Sequence, residues 1–328
     1  MALSAAKPRI VSLLPSATEI VCALGLRDRL VGVSHECDYP ASVCGLPAVT
    51  APKLDVDGTS AAIDRELRAL VEAGLGVYRV DARALAALAP DLIVTQDQCN
   101  VCAVSYGDVV RATRDLAGAG VQIVSLRPSR LDDVWDDVEQ VADAAGISAH
   151  GRTVATGLRA RIGGLAERSA RLARPRLACI EWLDPLMAAG NWVPDLAAVA
   201  GADYTLAPAG AHSAWLEWSA LERSRPEVLC AMPCGFGLER TRRELALLLA
   251  EPRWGALPAV RDGRVFALDG SAYFNRPGPR LVESAEILAG VLHPSELGHL
   301  VRPGACVEVR RSRTSAAPAT TAATVAVG

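Results

Sequence analysis

Two stretches of this chain read alike, and that internal likeness limits the fold more than any other feature. Residues 85–94 (LAALAPDLIV) and 221–230 (LERSRPEVLC) each give a helix end, a proline stop, an acidic residue and a short buried strand. Each half also opens alike. Arg9 to Leu14 and Arg176 to Ile180 are apolar runs of parallel-strand type, followed by a loop, a helix and a glycine at Gly25 or Gly201. The halves close on further apolar strands, Val121 to Leu126 and Val265 to Leu268. Between them, Ser148 to Ala173 carries Val154, Leu158, Ile162, Leu165 and Leu172 at helical spacing, with six charged side chains on its other faces. Ser148 is its expected N-cap and Pro175 its stop. Such a helix would run roughly 39 Å at 1.5 Å per residue, enough to bridge two lobes.

The expected fold is therefore α/β: two Rossmann-like three-layer lobes joined by one long helix. The expected divisions are 9–130 for the first lobe, 131–174 for connecting helices including the bridge at 148–173, and 175–300 for the second lobe. The Ala/Thr-rich segment 311–328 is aperiodic and is expected to be disordered. Two joined lobes leave a cleft between them, the usual place for a ligand.

Composition narrows the function. A chain of 328 residues, 51% of them hydrophobic, has material for two cores. A net charge of -3 with scattered arginines gives no basic face for nucleic acid. No run reaches the roughly 18 apolar residues of a membrane span. The opening MALSAAKPRI lacks a basic region followed by a signal-type apolar stretch, so a cytoplasmic protein is expected. For an intracellular chain, 9 cysteines read as reduced thiols, most of them small core residues such as Cys22 and Cys179.

Chemistry collects in loops at strand ends. Pro15 and Ser16 open a helix beside the end of the first strand, where an acceptor group can be held, although Ser16 or Thr18 serves equally as a plain cap. Next comes Ser34-His35-Glu36-Cys37-Asp38-Tyr39-Pro40, the densest chemistry in the chain. It reads as metal ligands, a general base or a ligand-contacting loop. Neighbouring side chains in extended chain point to opposite faces, which disfavours one tetrahedral ion held by all three donors from 35 to 37. The strand 91–95 runs into Gln96, Gln98, Cys99 and Cys102, polar groups where α/β sheets place ligand contacts. A lone C-x-x-C is weak evidence for zinc, even with Cys230 and Cys234 following the matching strand, and zinc is not expected. Of 6 tryptophans, Trp182, Trp192, Trp215, Trp218 and Trp254 lie in the second half, which suits a flat apolar ligand; core packing claims some of them.

At this point the chain resembles the bilobal substrate-binding proteins with one connecting helix, and among them the cobalamin-binding members. The matching pieces, spread over about residues 9–293, are RIVSLLPSATEI, VGVSHECDYP, LAPDLIVTQ, Gly190-Asn191-Trp192 with the helix to Gly201, SRPEVL, and SAYFNRPGPRLVESAEIL. The resemblance implies a helical-backbone substrate-binding fold, no catalysis, and a corrinoid, cobalamin or a relative, held in the cleft. The implied contacts are Ser34, His35, Glu36, Cys37, Tyr39, Gln96, Gln98, Cys99, Trp182, Asn191, Trp192, Trp218, Tyr273 and Phe274. His35 is a candidate cobalt ligand, with Cys37, Gln98 and Cys99 competing.

One departure bears on partners. Transport-linked relatives carry a glutamate on each lobe, seven residues before the repeat's proline, which meets permease arginines. Here those positions hold Arg83 and Ser219. The expectation is an intracellular carrier, sensor or salvage component that does not dock to an importer. Rival readings are a haem or metal-chelate binder on the same fold, a thiol-dependent enzyme using His35, Glu36, Cys37 and Cys99, and a scaffold docking through the arginine-rich bridge. No GxSxG, P-loop, HExxH or GxGxxG supports catalysis.

Overall fold

A computed structural model describes residues 7–53, 57–72, 78–96 and 120–310. The first sheet has the order β2-β1-β5-β6. Its strands are β1 (Ile10–Ser12), β2 (Leu30–Gly32), β5 (Leu92–Gln96) and β6 (Gln122–Leu126), all parallel. Ile10, Val11, Leu92, Ile93 and Val94 are buried, as expected for strands covered on both faces. A separate antiparallel pair, β3 (Thr50–Pro52) and β4 (Tyr78–Val80), stands beside it.

The second sheet has the order β12-β11-β10-β7-β8-β9. Its parallel centre is β7 (Leu177–Leu183), β10 (Val228–Ala231) and β11 (Val265–Leu268). The repeat seen in the sequence thus lands on equivalent strands: Leu92 follows Pro90 into the first sheet and Val228 follows Pro226 into the second. Antiparallel strands flank that centre: β12 (Cys306–Glu308) on one side, and β8 (Leu186–Ala188) with β9 (Ala214–Trp215) on the other. The stretch after Ile180, expected as a loop, therefore includes the end of β7 and all of β8.

The helices are α1 (Pro15–Ala23), α2 (Ser60–Glu72), α3 (Ala82–Ala87), α4 (Leu131–Ala144), the bridge α5 (Ser148–Ser169), α6 (Val193–Val199), α7 (Trp218–Ser224), α8 (Leu238–Ala250) and α9 (Leu281–Leu292), with shorter turns between. The bridge differs from expectation at both ends. Ile147 is the N-cap and makes no side-chain cap, so Ser148 is already the first helical residue. The helix stops at Ser169, whose hydroxyl turns back to the carbonyls of Ala166 and Val199. Its 22 residues span about 33 Å. Leu165 is buried and Val154, Leu158, Ile162 and Leu172 pack against the main core, so the stripe read from spacing is the buried one. A Cβ on Gly151 would lie 2.2 Å from Cβ of Ala142, so glycine is what lets α4 and α5 approach so closely.

The two sheets share one core on one side, and each keeps a separate cluster of its own, around Val11, Leu85 and Ile93 in the first and around Ile180, Leu229 and Trp254 in the second. One buried cluster runs from Ile10, Leu92 and Val124, through Trp135, Val138 and Leu165, to Leu177, Leu196 and Ile287. Helices α4, α5, α6 and α9 fill the space behind the two sheets as one apolar body. No helix among the described residues is long and apolar enough to cross a membrane. Segment 311–328 lies outside the described residues.

Candidate functional site

Loops from the carboxyl ends of the strands face one another across the lobes. On the first lobe, α1 begins at Pro15 with Leu14 as a cap that offers no side-chain acceptor. Ser16, 2% exposed, has a buried hydroxyl with no hydrogen-bond partner among the described residues. Thr18 is taken up internally: its hydroxyl donates to Ser12 Oγ at 2.8 Å and meets Cys37 Sγ at 3.1 Å.

The loop after β2 is held by a chain of hydroxyls. Ser34 is buried, and its Oγ accepts from the Glu36 amide and from Thr50 Oγ1. Thr50 Oγ1 in turn accepts the His35 amide at 3.1 Å and lies 2.7 Å from His35 Nδ1. The imidazole packs against Tyr78, ring centroids 5.3 Å apart, and Tyr78 Oη donates to Glu36 Oε1 at 3.1 Å. His35 and Glu36 are half-buried, while Tyr39 is 45% exposed.

Cys37 does not suit thiol chemistry. It is 8% exposed, and burial outweighs its bonds to Thr18 and to backbone, pushing the thiol up to about 11. A thiolate is the reactive form, so at neutral pH this sulfur is inert. On brief treatment of the native protein with a maleimide at pH 7, Cys44, which is exposed, is expected to react while Cys37, Cys179 and Cys230 stay unlabelled. Peptide mass mapping reads this directly, and rapid labelling of Cys37 would restore the thiol-enzyme reading.

On the second lobe, Trp182 of β7 is partly exposed and lies 5.3 Å from Phe236 between ring centroids; its buried Nε1 has no partner among the described residues. Beside it, Glu181 Oε2 accepts from Ser213 Oγ, which accepts the Gly190 amide. Gly190 is required by this crossing, since a Cβ there would lie 2.5 Å from the Ala211 carbonyl oxygen. Asn191 follows in the left-handed region at φ 51°. After β11, Asp269 accepts the Ala272 amide and shapes the turn that presents Tyr273, which is partly exposed.

Three expected contacts are occupied in packing. Phe274 is fully buried and Trp192 is 6% exposed, with its Nε1 donating to the Phe274 carbonyl at 2.9 Å. Trp218 packs edge-on against Trp254 at 5.0 Å, donates to Glu222 and carries Arg253 over its ring. Phe274 and Trp192, like Cys37, join the framework, whereas Trp218 is packed on Trp254 but stays partly exposed. Gln96 closes β5 at 6% exposure. Gln98, Cys99 and the rest of the C-x-x-C lie outside the described residues. Among the described residues no group of three or more His, Cys, Asp or Glu side chains is placed to hold a metal ion.

Sequence reasoning did not single out the strongest electrostatic feature of the site, an ion cluster that crosses between the lobes. Arg280 binds Glu19 through two bonds, Nη2 to Oε1 at 2.6 Å and Nε to Oε2 at 3.0 Å, with both side chains nearly sealed from water. Arg276 chelates the Asp38 carboxylate, donates to the Glu36 carbonyl and approaches Glu19 at 3.7 Å. Arg280 also lies over the Tyr39 ring at 3.9 Å and near Tyr273 at 5.4 Å. Burial would discharge both arginines, but their carboxylate partners prevail and hold each above its ordinary value. Burial raises the Glu19 carboxyl despite Arg280 and Arg276. The two-bond geometry to a charged guanidinium nevertheless keeps it ionised at neutral pH. The available signal was the pair of arginines in RPGPR, set four apart, with Glu19 the one charged residue of the helix PSATEIVCA.

A second contact joins the lobes elsewhere. The Ser60 amide donates to Glu244 at 3.2 Å, Arg240 donates to the Gly58 carbonyl, and Arg68 of α2 lies 5.0 Å from the exposed Trp215 ring.

Two sheets joined by one long helix, with strand-end loops meeting where Arg276 and Arg280 reach Asp38 and Glu19, have the architecture of a bilobal binding protein. Residues 10–272 match the periplasmic binding protein family, and the chain belongs to that family. It is 24% identical over 279 residues to the vitamin B12-binding protein of Vibrio parahaemolyticus, covering 84% of this chain and 86% of that one. It is 22% identical to an ABC transporter substrate-binding lipoprotein of Bacillus subtilis, covering 87% of this chain and 80% of the other. Its fold is similar to the periplasmic haem-binding protein of Vibrio cholerae, with a TM-score of 0.67, 20% identity, and coverage of 88% of this chain and 100% of that one.

Membership corrects the expected location. The opening residues on which a cytoplasmic expectation rested do not decide it, whereas relatives that are periplasmic proteins or lipoproteins point outside the cytoplasm. Docking to a transporter likewise stays open, because a relative is itself an ABC transporter substrate-binding protein.

Proposed function

We propose that this protein binds cobalamin or a related corrinoid in the cleft between its lobes and serves its capture outside the cytoplasm. The observation that carries this reading is the likeness, across 84% of the chain, to a vitamin B12-binding protein. The open face supports it: Tyr39, Trp182 and Tyr273 offer aromatic surface, and His35, Glu36 and Asn191 offer polar groups. Gln96, Gln98 and Cys99, at and beyond the end of β5, belong to the same proposed site. Hand-over to a membrane importer fits the family. With exposed Arg83 and Ser219 where relatives carry glutamates, the complementary importer surface would lack the usual arginine at the first position. Haem is the second reading, supported by the similar fold of a haem-binding protein.

Titration of the purified chain with cyanocobalamin, hydroxocobalamin and ferric haem, followed by visible absorption and thermal unfolding, separates the two. Cobalamin binding is expected to add about 2.7 kcal/mol to stability at 100 times Kd. Haem binding without cobalamin binding would exchange the first reading for the second, and binding of neither would remove both.

A further inference from the structure

We propose that His35 is the axial donor of this cleft, its Nε2 coordinating the metal of a planar macrocycle in place of a bound water. The inference rests on the corrinoid or haem reading and goes beyond it by naming the donor atom and the class of ligand: a metal complex with one exchangeable axial position.

The hydrogen bonds around the ring fix which nitrogen is available. Thr50 Oγ1 has one proton, and it points to Ser34 Oγ at 3.1 Å. The same oxygen therefore accepts both of its other contacts, the His35 amide and the ring at Nδ1, 2.7 Å away. Nδ1 thus carries the ring proton, and Nε2 keeps its lone pair. This is the arrangement by which metal-binding histidines are oriented, with the second nitrogen donating to a protein oxygen. Tyr78 packs on the ring and is tied to Glu36 next in sequence, so the imidazole is gripped from a neighbouring strand. The loop lies at the junction of the lobes, because Arg276 reaches across to Asp38 and to the Glu36 carbonyl.

The exchange balances without redox chemistry. The lone pair of Nε2 forms the new bond to the metal, the metal–water bond breaks, one water leaves, and the proton on Nδ1 stays on the ring, donated in a hydrogen bond to Thr50 Oγ1. Imidazole suits cobalt and iron alike.

The test uses the full chain with hydroxocobalamin, cyanocobalamin and ferric haem as probes. Wild type is expected to shift the visible bands of hydroxocobalamin or haem, whose axial position exchanges, while cyanocobalamin, with cyanide on the metal, shifts little. His35→Ala should still bind the responsive probe but lose the shift. Thr50→Val, which removes the oxygen fixing Nδ1, should weaken affinity about 10–100-fold with His35 still present. Binding by wild type without a shift, or a shift that persists in His35→Ala, overturns the inference and leaves the corrinoid or haem reading standing. Failure of wild type to bind any probe removes that reading, and the inference with it.

Discussion

Arg280→Ala is expected to destabilise the folded protein by about 3–5 kcal/mol, the typical loss when one partner of a buried ion pair is removed. Glu19 is 3% exposed and Arg280 9%, so truncation strands a carboxylate that water cannot reach. Arg276 lies 3.7 Å from Glu19 but is committed to Asp38, and cannot replace the two lost bonds. Removing both charges together, as in Glu19→Leu with Arg280→Met, is expected to recover most of the loss, because no buried charge is left unpaired. Urea unfolding of the single and double variants reads the difference. A loss below about 1 kcal/mol for Arg280→Ala, the size of an exposed pair, would show that the cluster is solvated in solution.

The second large effect comes from Asp137 in α4. Its side chain is buried, and Oδ2 finds no hydrogen-bond partner among the described residues. Burial, with Asp133 and Asp136 nearby, pushes the carboxyl up to about 7 despite the Arg127 amide. The folded state thus holds this proton more tightly than the unfolded state does. Its contribution is fully present below the ordinary carboxylate range and is lost as pH rises through 7. Between pH 5 and 8 the loss should be roughly 2–3 kcal/mol at 1.36 kcal/mol per pKa unit. Asp137→Asn keeps the shape without the charge, so its stability curve should lack that fall and cross above wild type on the alkaline side. Parallel curves at all pH values would show that Asp137 does not titrate in this window.

Much of the architecture was legible in the sequence, for identifiable reasons. Strands such as Leu92–Gln96 and Val228–Ala231 are covered on both faces and therefore read as unbroken apolar runs between punctuation. The bridge was legible from its stripe, but its ends were not. Ser148 sits inside the helix because the cap is left to backbone alone, and Ser169 ends it through a bond to Val199 that no local pattern encodes. The ribbon β8–β9 escaped notice because Leu186-Met187-Ala188 is too short to show alternation, and its pairing with Ala214–Trp215 is non-local. Site residues divided in the same way. Position along the chain marked which loops meet, but not which side chains turn inward: Phe274 and Trp192 go to the core while Tyr273 and Trp182 stay partly open. A buried arginine is invisible until its partner is known, and Glu19 lies 261 residues from Arg280.

The bridge, the Arg276–Arg280 cluster and the contact of residues 58–60 with α8 together mount one lobe on the other at three separate places. A plate held by a single hinge swings; one held at three stations rattles only when a fastening lets go. Parting the two lobes would then require breaking the buried Arg280–Glu19 pair and the Ser60–Glu244 contact together, as well as flexing the bridge.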